Sequence, residues 1–254
     1  MGLDRRGFLH LAAGAAASGA LSSAPMAARR NRFKALAFDG FPVFDPRPVF
    51  ALAESLFPGR GAELGAAWRA RQFEYQWLRT LGGQYADFLR TTQEALVFAA
   101  RSSKLDLTAE KRDRLVHAYL ELRAWPDATA MLRSLADAGL RLAFCSNMTE
   151  EMLRTGIRAN GLDGIFEHVL SADRVRAHKP DPRAYAMASD AFGLAREEIL
   201  FVSFAGWDVA GAKWFGYPTF WVNRLGAPAE EIAPRADGEG KDLAALAAFA
   251  MPPA

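Results

Sequence analysis

The chain has 254 residues, 51% hydrophobic and 24% charged, with a formal net charge of +2. That length is ample for a substantial core, as one large domain or one carrying a sizeable insertion. So small a charge offers neither a basic face for nucleic acid nor a polybasic membrane patch. The single cysteine, Cys145, excludes an intramolecular disulfide and a thiolate metal cluster; within the apolar run Leu140–Cys145 it reads as a buried packing residue.

At the N-terminus, Asp4-Arg5-Arg6-Gly7-Phe8-Leu9 precedes a weakly apolar Ala/Gly stretch, then Ser22-Ser23-Ala24 and Pro25. This is the layout of an export signal with paired arginines. Residues 1–30 are therefore expected to be a leader that carries the chain to the periplasm by the twin-arginine route. A disordered start is the plainer alternative. The stretch is too short and too rich in Gly and Ala to span a membrane.

Phe33–Phe38 reads as a buried strand that delivers Asp39 at its C-terminal end. Pro42, Pro46 and Pro48 argue against regular structure in the following turn. From Val49 to about Arg123 the pattern is helical, punctuated by Pro58-Gly59 and Gly82-Gly83. After Trp125-Pro126 the rhythm changes. Helix Ala128–Ala138 leads to strand Leu140–Cys145, and helix Thr149–Asn160 to strand Glu167–Leu170. Helix Pro182–Phe192 precedes strand Ile199–Val202, and helix Ala210–Phe215 precedes strand Thr219–Asn223. From Gly238 a short amphipathic helix and a frayed end are expected. Strands alternating with helices imply βαβ units and a parallel sheet, with the ligand site at the C-terminal strand ends. The expected fold is thus α/β. A Rossmann-like core of residues 31–45 and 125–254 carries an inserted all-helical cap of residues 46–124.

Four strand ends are expected to present polar residues: Asp39, Ser146-Asn147, Lys179, and Ser203 with Asp208. A carboxylate facing a hydroxyl, a lysine and a second carboxylate suits covalent catalysis. Asp39 attacks carbon or phosphorus, Lys179 balances charge, and Asp208 orients or deprotonates water. Singly, each has a plainer reading: Lys179 as a solvated loop lysine, Ser146-Asn147 as a helix N-cap. Their order and context together make the case.

The stretch Phe38-Asp39-Gly40-Phe41-Pro42-Val43-Phe44-Asp45-Pro46 resembles the nucleophile motif of the haloacid dehalogenase superfamily, in its (S)-2-haloacid dehalogenase branch. The likeness continues through Trp68-Arg69-Ala70-Arg71-Gln72-Phe73-Glu74-Tyr75-Gln76-Trp77 and Phe144-Cys145-Ser146-Asn147. It resumes at Lys179-Pro180-Asp181-Pro182-Arg183-Ala184-Tyr185 and at Phe201-Val202-Ser203-Phe204-Ala205-Gly206-Trp207-Asp208. The resemblance implies that Asp39 displaces halide from carbon and leaves an ester. Water then hydrolyses the ester, assisted by Lys179, Asp208 and Ser203. It also implies that Arg69 and Asn147 receive the halide, and that Ser146 and the N–H groups of Gly40 and Phe41 hold the substrate carboxylate. Tyr185 is a further substrate contact, and Phe73, Phe88 and Trp207 wall the reacting carbon. For Phe73 and Phe88, packing between cap and core is an equal alternative. The partners implied are a small 2-haloacid and halide, with no cofactor, and the assembly implied is a homodimer.

Superfamily phosphatases place a second Asp two residues after the nucleophile as a general acid, and they bind Mg²⁺ through paired carboxylates. Here those positions hold Phe41 and, after Asp208, Ala212. A halide leaving group needs neither proton nor metal, so carbon–halogen chemistry without a metal is expected. A phosphatase, or an exported anion-binding relative without turnover, is the alternative. The sequence also departs from the family's pattern. Asp39 to Asp45 is one residue shorter than usual, Pro42-Val43 lacks a hydroxyl beside the nucleophile, and Phe204-Ala205 replaces the usual Ser and water-positioning Asn. Hydrolysis of the ester is accordingly expected to be the slower step.

Overall fold

The computed structural model describes residues 32–232 and 234–251; the expected leader lies outside the described residues. The sequence's short apolar runs become five of the six strands of one parallel sheet, in the order β5-β4-β1-β6-β7-β8. They are β1 (Ala35–Phe38), β4 (Arg141–Ser146), β5 (His168–Ser171), β6 (Ile199–Ser203), β7 (Thr219–Val222) and β8 (Gly238–Gly240). β1 lies between β4 and β6 with Phe38 opposite Phe144 and Val202. All four of its residues are buried, as expected for a parallel strand covered on both faces.

Side chains alternate between those faces with the period of two that a strand imposes. Leu36 and Phe38 join Phe144 and Val202 in one core, while Ala35 and Ala37 join Cys145, Phe201 and Tyr185 in the other. The small alanines make room for α7 (Pro182–Phe192) and α8 (Gly206–Phe215), which bring Tyr185 and Phe215 onto that face. The chain runs outward from β1 in both directions, so the C-terminal ends of β1, β4 and β6 border one crevice.

Between β1 and β4 stand α1 (Arg47–Leu56), α2 (Gly61–Leu81), α3 (Phe88–Ser102) and α4 (Ala109–His117), followed by α5 (Ala128–Asp137), and α6 (Glu150–Ala159) joins β4 to β5. Contrary to expectation, the proline-rich turn is not irregular throughout. Phe44–Asp45 forms β2, which pairs antiparallel with β3 (Arg123–Ala124). The insertion therefore leaves and returns side by side. Pro46 occupies the N-cap of α1 and Pro48 its first turn, where a missing N–H leaves no hydrogen bond unmade. The tail also differs, since Gly238–Gly240 adds a sixth strand before helix α9 (Leu243–Ala250). Among the described residues no helix is long and apolar enough to cross a membrane.

Candidate active site

Asp39 is the first residue past β1, and the chain turns sharply after it, with the N–H groups of Val43 and Phe44 both donating to the carbonyl of Gly40. Gly40 is closely packed, and any side chain there would make Met148 shift. A Cβ there would stand 2.6 Å from the Met148 sulfur and 3.3 Å from Ser146 Oγ. That closeness lets Ser146, the last residue of β4, reach the nucleophile candidate. Its hydroxyl donates to Asp39 Oδ1 at 2.9 Å and accepts from the N–H groups of Gly40 and Met148 at 3.2 and 3.3 Å. Lys179 Nζ donates to the same Oδ1 at 3.0 Å. Among the described residues Asp39 Oδ2 receives only the Phe41 N–H, at 3.2 Å. One carboxylate oxygen is thus clamped and the other is nearly free.

Lys179 does not stand at a strand end as expected. A 3-10 turn (Ala172–Arg174) and a loop separate it from β5. The loop is anchored by the Lys179 N–H, which donates to Asn147 Oδ1 at 2.8 Å. From there the buried ammonium bridges Asp39 and Asp208, reaching Asp208 Oδ2 at 2.7 Å. Burial works against that charge, but Asp208 and Asp39 outweigh it, so Lys179 holds its proton more tightly than an ordinary lysine. Asp208 sits in the first turn of α8, where the helix dipole favours an anion. Burial nonetheless raises its pKa, and Asp39 adds to the rise, against the lowering by Lys179. Ser203 Oγ lies 3.1 Å from Asp208 Oδ2 and 2.9 Å from the Ala205 carbonyl.

Tyr185, expected as a substrate contact, is not among the residues that line the cavity. Tyr185 is fully buried behind Asp208 and donates to Oδ1 at 2.8 Å. Gly211 makes this reach feasible, since a Cβ there would lie 2.3 Å from the tyrosine oxygen. Tyr185 orients a carboxylate and forms no part of the cavity wall.

A cavity of about 110 Å³ opens beside Asp39. It is lined by Asp39, Phe41, Arg69, Phe73, Phe88, Ser146, Asn147, Trp207 and Asp208, all expected at the site. Phe88 is also buried against Tyr119, and Phe73 lies edge-on to Trp207 at 5.2 Å, so both serve packing as well as the wall. The guanidinium of Arg69 makes no ion pair among the described residues. It lies 5.9 Å from the Phe73 ring and 6.0 Å from that of Phe204, and burial lowers its pKa. A cation so placed favours an anion as its neighbour. In this structure the N–H groups of Gly40 and Phe41 are turned to Ser146 and Asp39.

Phe50, Tyr119, Phe204, Leu225 and Gln72 also line the cavity and were not anticipated as site residues. For Gln72 a signal existed, because residues 69, 72, 73 and 76 fall on one face of a helix, and Gln72 and Gln76 are indeed buried on α2. Phe50 and Tyr119 come from opposite ends of the insertion, and no local pattern marks them.

The comparisons agree with this geometry. Residues 14–216 match the haloacid dehalogenase-like hydrolase family, and the chain belongs to it. It is 41% identical over 208 residues to haloacetate dehalogenase H-2 of Moraxella sp. (strain B), covering 82% of this chain and 93% of that one. To the (S)-2-haloacid dehalogenase of Pseudomonas sp. (strain YL) it is 42% identical over 214 residues, covering 84% and 92%. The crystal structure of the L-2-haloacid dehalogenase RSc1362 superposes with a TM-score of 0.83 at 40% identity, covering 86% of this chain and 98% of that one.

Proposed function

We propose that this enzyme hydrolyses the carbon–halogen bond of a small 2-haloalkanoic acid, giving the 2-hydroxy acid and halide through an ester on Asp39. The observation that carries the reading is the unequal treatment of the two Asp39 oxygens. Oδ1 is held by Ser146 and Lys179, whereas Oδ2 has a single, longer hydrogen bond among the described residues, and Asp39 lines a mostly apolar cavity. A carboxylate oxygen stripped of water is the stronger nucleophile. Oδ2 attacks the carbon as the C–X electron pair leaves on the halide, whose charge Arg69 and Asn147 receive. Water then adds to Cγ of Asp39, and the charge that builds on Oδ1 is already met by Ser146 Oγ and Lys179 Nζ. Asp208, oriented by Tyr185, Ser203 and Lys179, stands beside that step to take the water's proton. Collapse then breaks the Cγ–Oδ2 bond, so that the 2-hydroxy acid leaves with that oxygen and takes up the proton the water gave. Phe41 lines the cavity where phosphate chemistry would want an acid.

A single turnover in ¹⁸O-water tests the reading. Label should enter Asp39 while the first product carries unlabelled oxygen, and Asp39→Asn should form no ester. Label found directly in the product, with Asp39 never modified, would mean that water attacks carbon itself.

Three finer readings go with it. Residues 46–124 act as a cap over the core site, supported by Arg69, Phe73 and Phe88 reaching the cavity from α2 and α3. The enzyme is exported to the periplasm by the twin-arginine route, supported by Arg5-Arg6 ahead of the weakly apolar stretch. It assembles as a homodimer, supported by the exposed Leu78, Leu81 and Phe98 on the cap helices; sedimentation at monomer mass up to high protein concentration would contradict that.

A further inference from the structure

Gln76 lies on α2 and is fully buried against the core. Its amide orientation follows from one obligate donor. The backbone N–H of Lys179 can only donate, so the Asn147 atom 2.8 Å from it is the acceptor Oδ1. Asn147 therefore turns Nδ2 toward Gln76, and the Gln76 atom 3.0 Å away must accept, which makes it Oε1. Donation runs one way, from Lys179 to Asn147 to Gln76. It links the loop that carries the catalytic lysine to a helix of the insertion.

Asn147 lines the cavity, and Nδ2 carries two hydrogens. One is spent on Gln76, which fixes the plane of the amide and hence the direction of the second. Gln76 Nε2 is buried and has no partner of its own among the described residues. An apolar residue of equal length would leave no such unpaired donor, so Gln76 is a poor choice for packing alone. Its acceptor oxygen is the reason to have it.

We infer that Gln76 is a positioning residue for the departing halide: by accepting one Asn147 N–H it aims the other at the leaving group, and so sets how well the enzyme handles poor leaving groups. The inference rests on the dehalogenase reading above. As the C–X bond breaks and the electron pair passes to the halide, no proton moves, so the developing charge must be met by fixed donors. Chloride, small and poorly leaving, depends on those donors more than iodide does.

The test uses Gln76→Met, Asn147→Ala and the double variant, with 2-chloro-, 2-bromo- and 2-iodopropanoate in single-turnover alkylation. Gln76→Met should slow alkylation by chloropropanoate about tenfold, the loss of one hydrogen bond to a charged group. The loss should shrink through bromide to iodide, and inhibition by free chloride should weaken in step. Because Gln76 acts only through Asn147, adding Gln76→Met to Asn147→Ala should leave the halogen ratio where it was. An equal loss with all three halogens would overturn the inference and reduce Gln76 to cap–core packing. So would an undiminished loss in the Asn147→Ala background. If Gln76→Met does not fold, chloride titration of the wild type decides. The side-chain amide ¹⁵N resonances of Asn147 and Gln76 should shift together, and a Gln76 signal that stays fixed refutes the role. Wild-type enzyme that releases no halide from any of the three acids would instead refute the dehalogenase reading.

Discussion

Replacing Lys179 by Met should damage stability and chemistry together, with a pH dependence that identifies the cause. Lys179 is buried with its ammonium 3.0 Å from Asp39 and 2.7 Å from Asp208. The three groups sum to one negative charge, and the variant leaves two negative charges with no cation between them. Removing one partner of a buried pair costs about 3–5 kcal/mol. For a chain of this size that lowers Tm by roughly 6–20 °C. The pKa of Asp208 is already raised by burial, with Lys179 first among the causes that hold it down, ahead of the Tyr185 hydrogen bond, so in the variant it climbs further. An acid whose folded pKa is raised costs stability above that pKa and recovers it as pH falls through it. The Tm gap between wild type and variant should be widest near pH 8 and narrower near pH 5. Lys179 itself adds no slope there, because its raised pKa keeps it charged throughout. Adding Asp208→Asn to Lys179→Met should restore part of the loss, and halide release should be absent at every pH. Thermal unfolding across pH 5–8 measures all of this. A gap below about 1 kcal/mol, or one that does not change with pH, would refute the claim that Lys179 neutralises buried carboxylates.

Chelation with EDTA should leave halide release intact, because Lys179 Nζ already bridges the Asp39 and Asp208 carboxylates that would otherwise share a cation; activity lost with chelator and regained with Mg²⁺ would point to phosphate chemistry. His178 donates from Nε2 to the Ala86 carbonyl while Nδ1 is buried with no partner among the described residues, and burial lowers its pKa. Tm should therefore fall as pH drops below about 6.5, when the unfolded chain gains a proton that the folded one resists, and His178→Gln should flatten that slope; equal slopes would rule it out. A reporter fused to residues 1–28 should leave the cytoplasm, and Arg5→Lys with Arg6→Lys should retain it, as cell fractionation would show.

What the sequence made legible follows from the range of the rule involved. The α/β class and most strands could be read because an apolar run or a helical period is local, and it survives whatever packs against it. β2, β3 and β8 escaped notice because strands of two or three residues have no period to detect, and Gly-Glu-Gly has no strand preference to add. The prolines misled for a related reason. Proline forbids a helix interior but suits a first turn, and only the register of α1 decides which position Pro46 and Pro48 take.

The site divides along the same line. Asp39, Ser146 and Ser203 sit where β1, β4 and β6 end, so their convergence followed from parallel pairing alone. Lys179 arrives from a loop, and what brings it in is the Asn147 side chain, a contact between residues 32 positions apart. Tyr185 was misplaced because a motif fixes neighbours along the chain but not which side of a carboxylate each occupies. It reaches Asp208 through the space that Gly211 leaves. The cavity wall is the least legible part. Phe50, Tyr119, Phe204 and Leu225 come from separate segments and meet only once the insertion is folded onto the sheet. Those wall residues decide which acids fit, so the reaction is written in local motifs while the choice of substrate is written in tertiary packing.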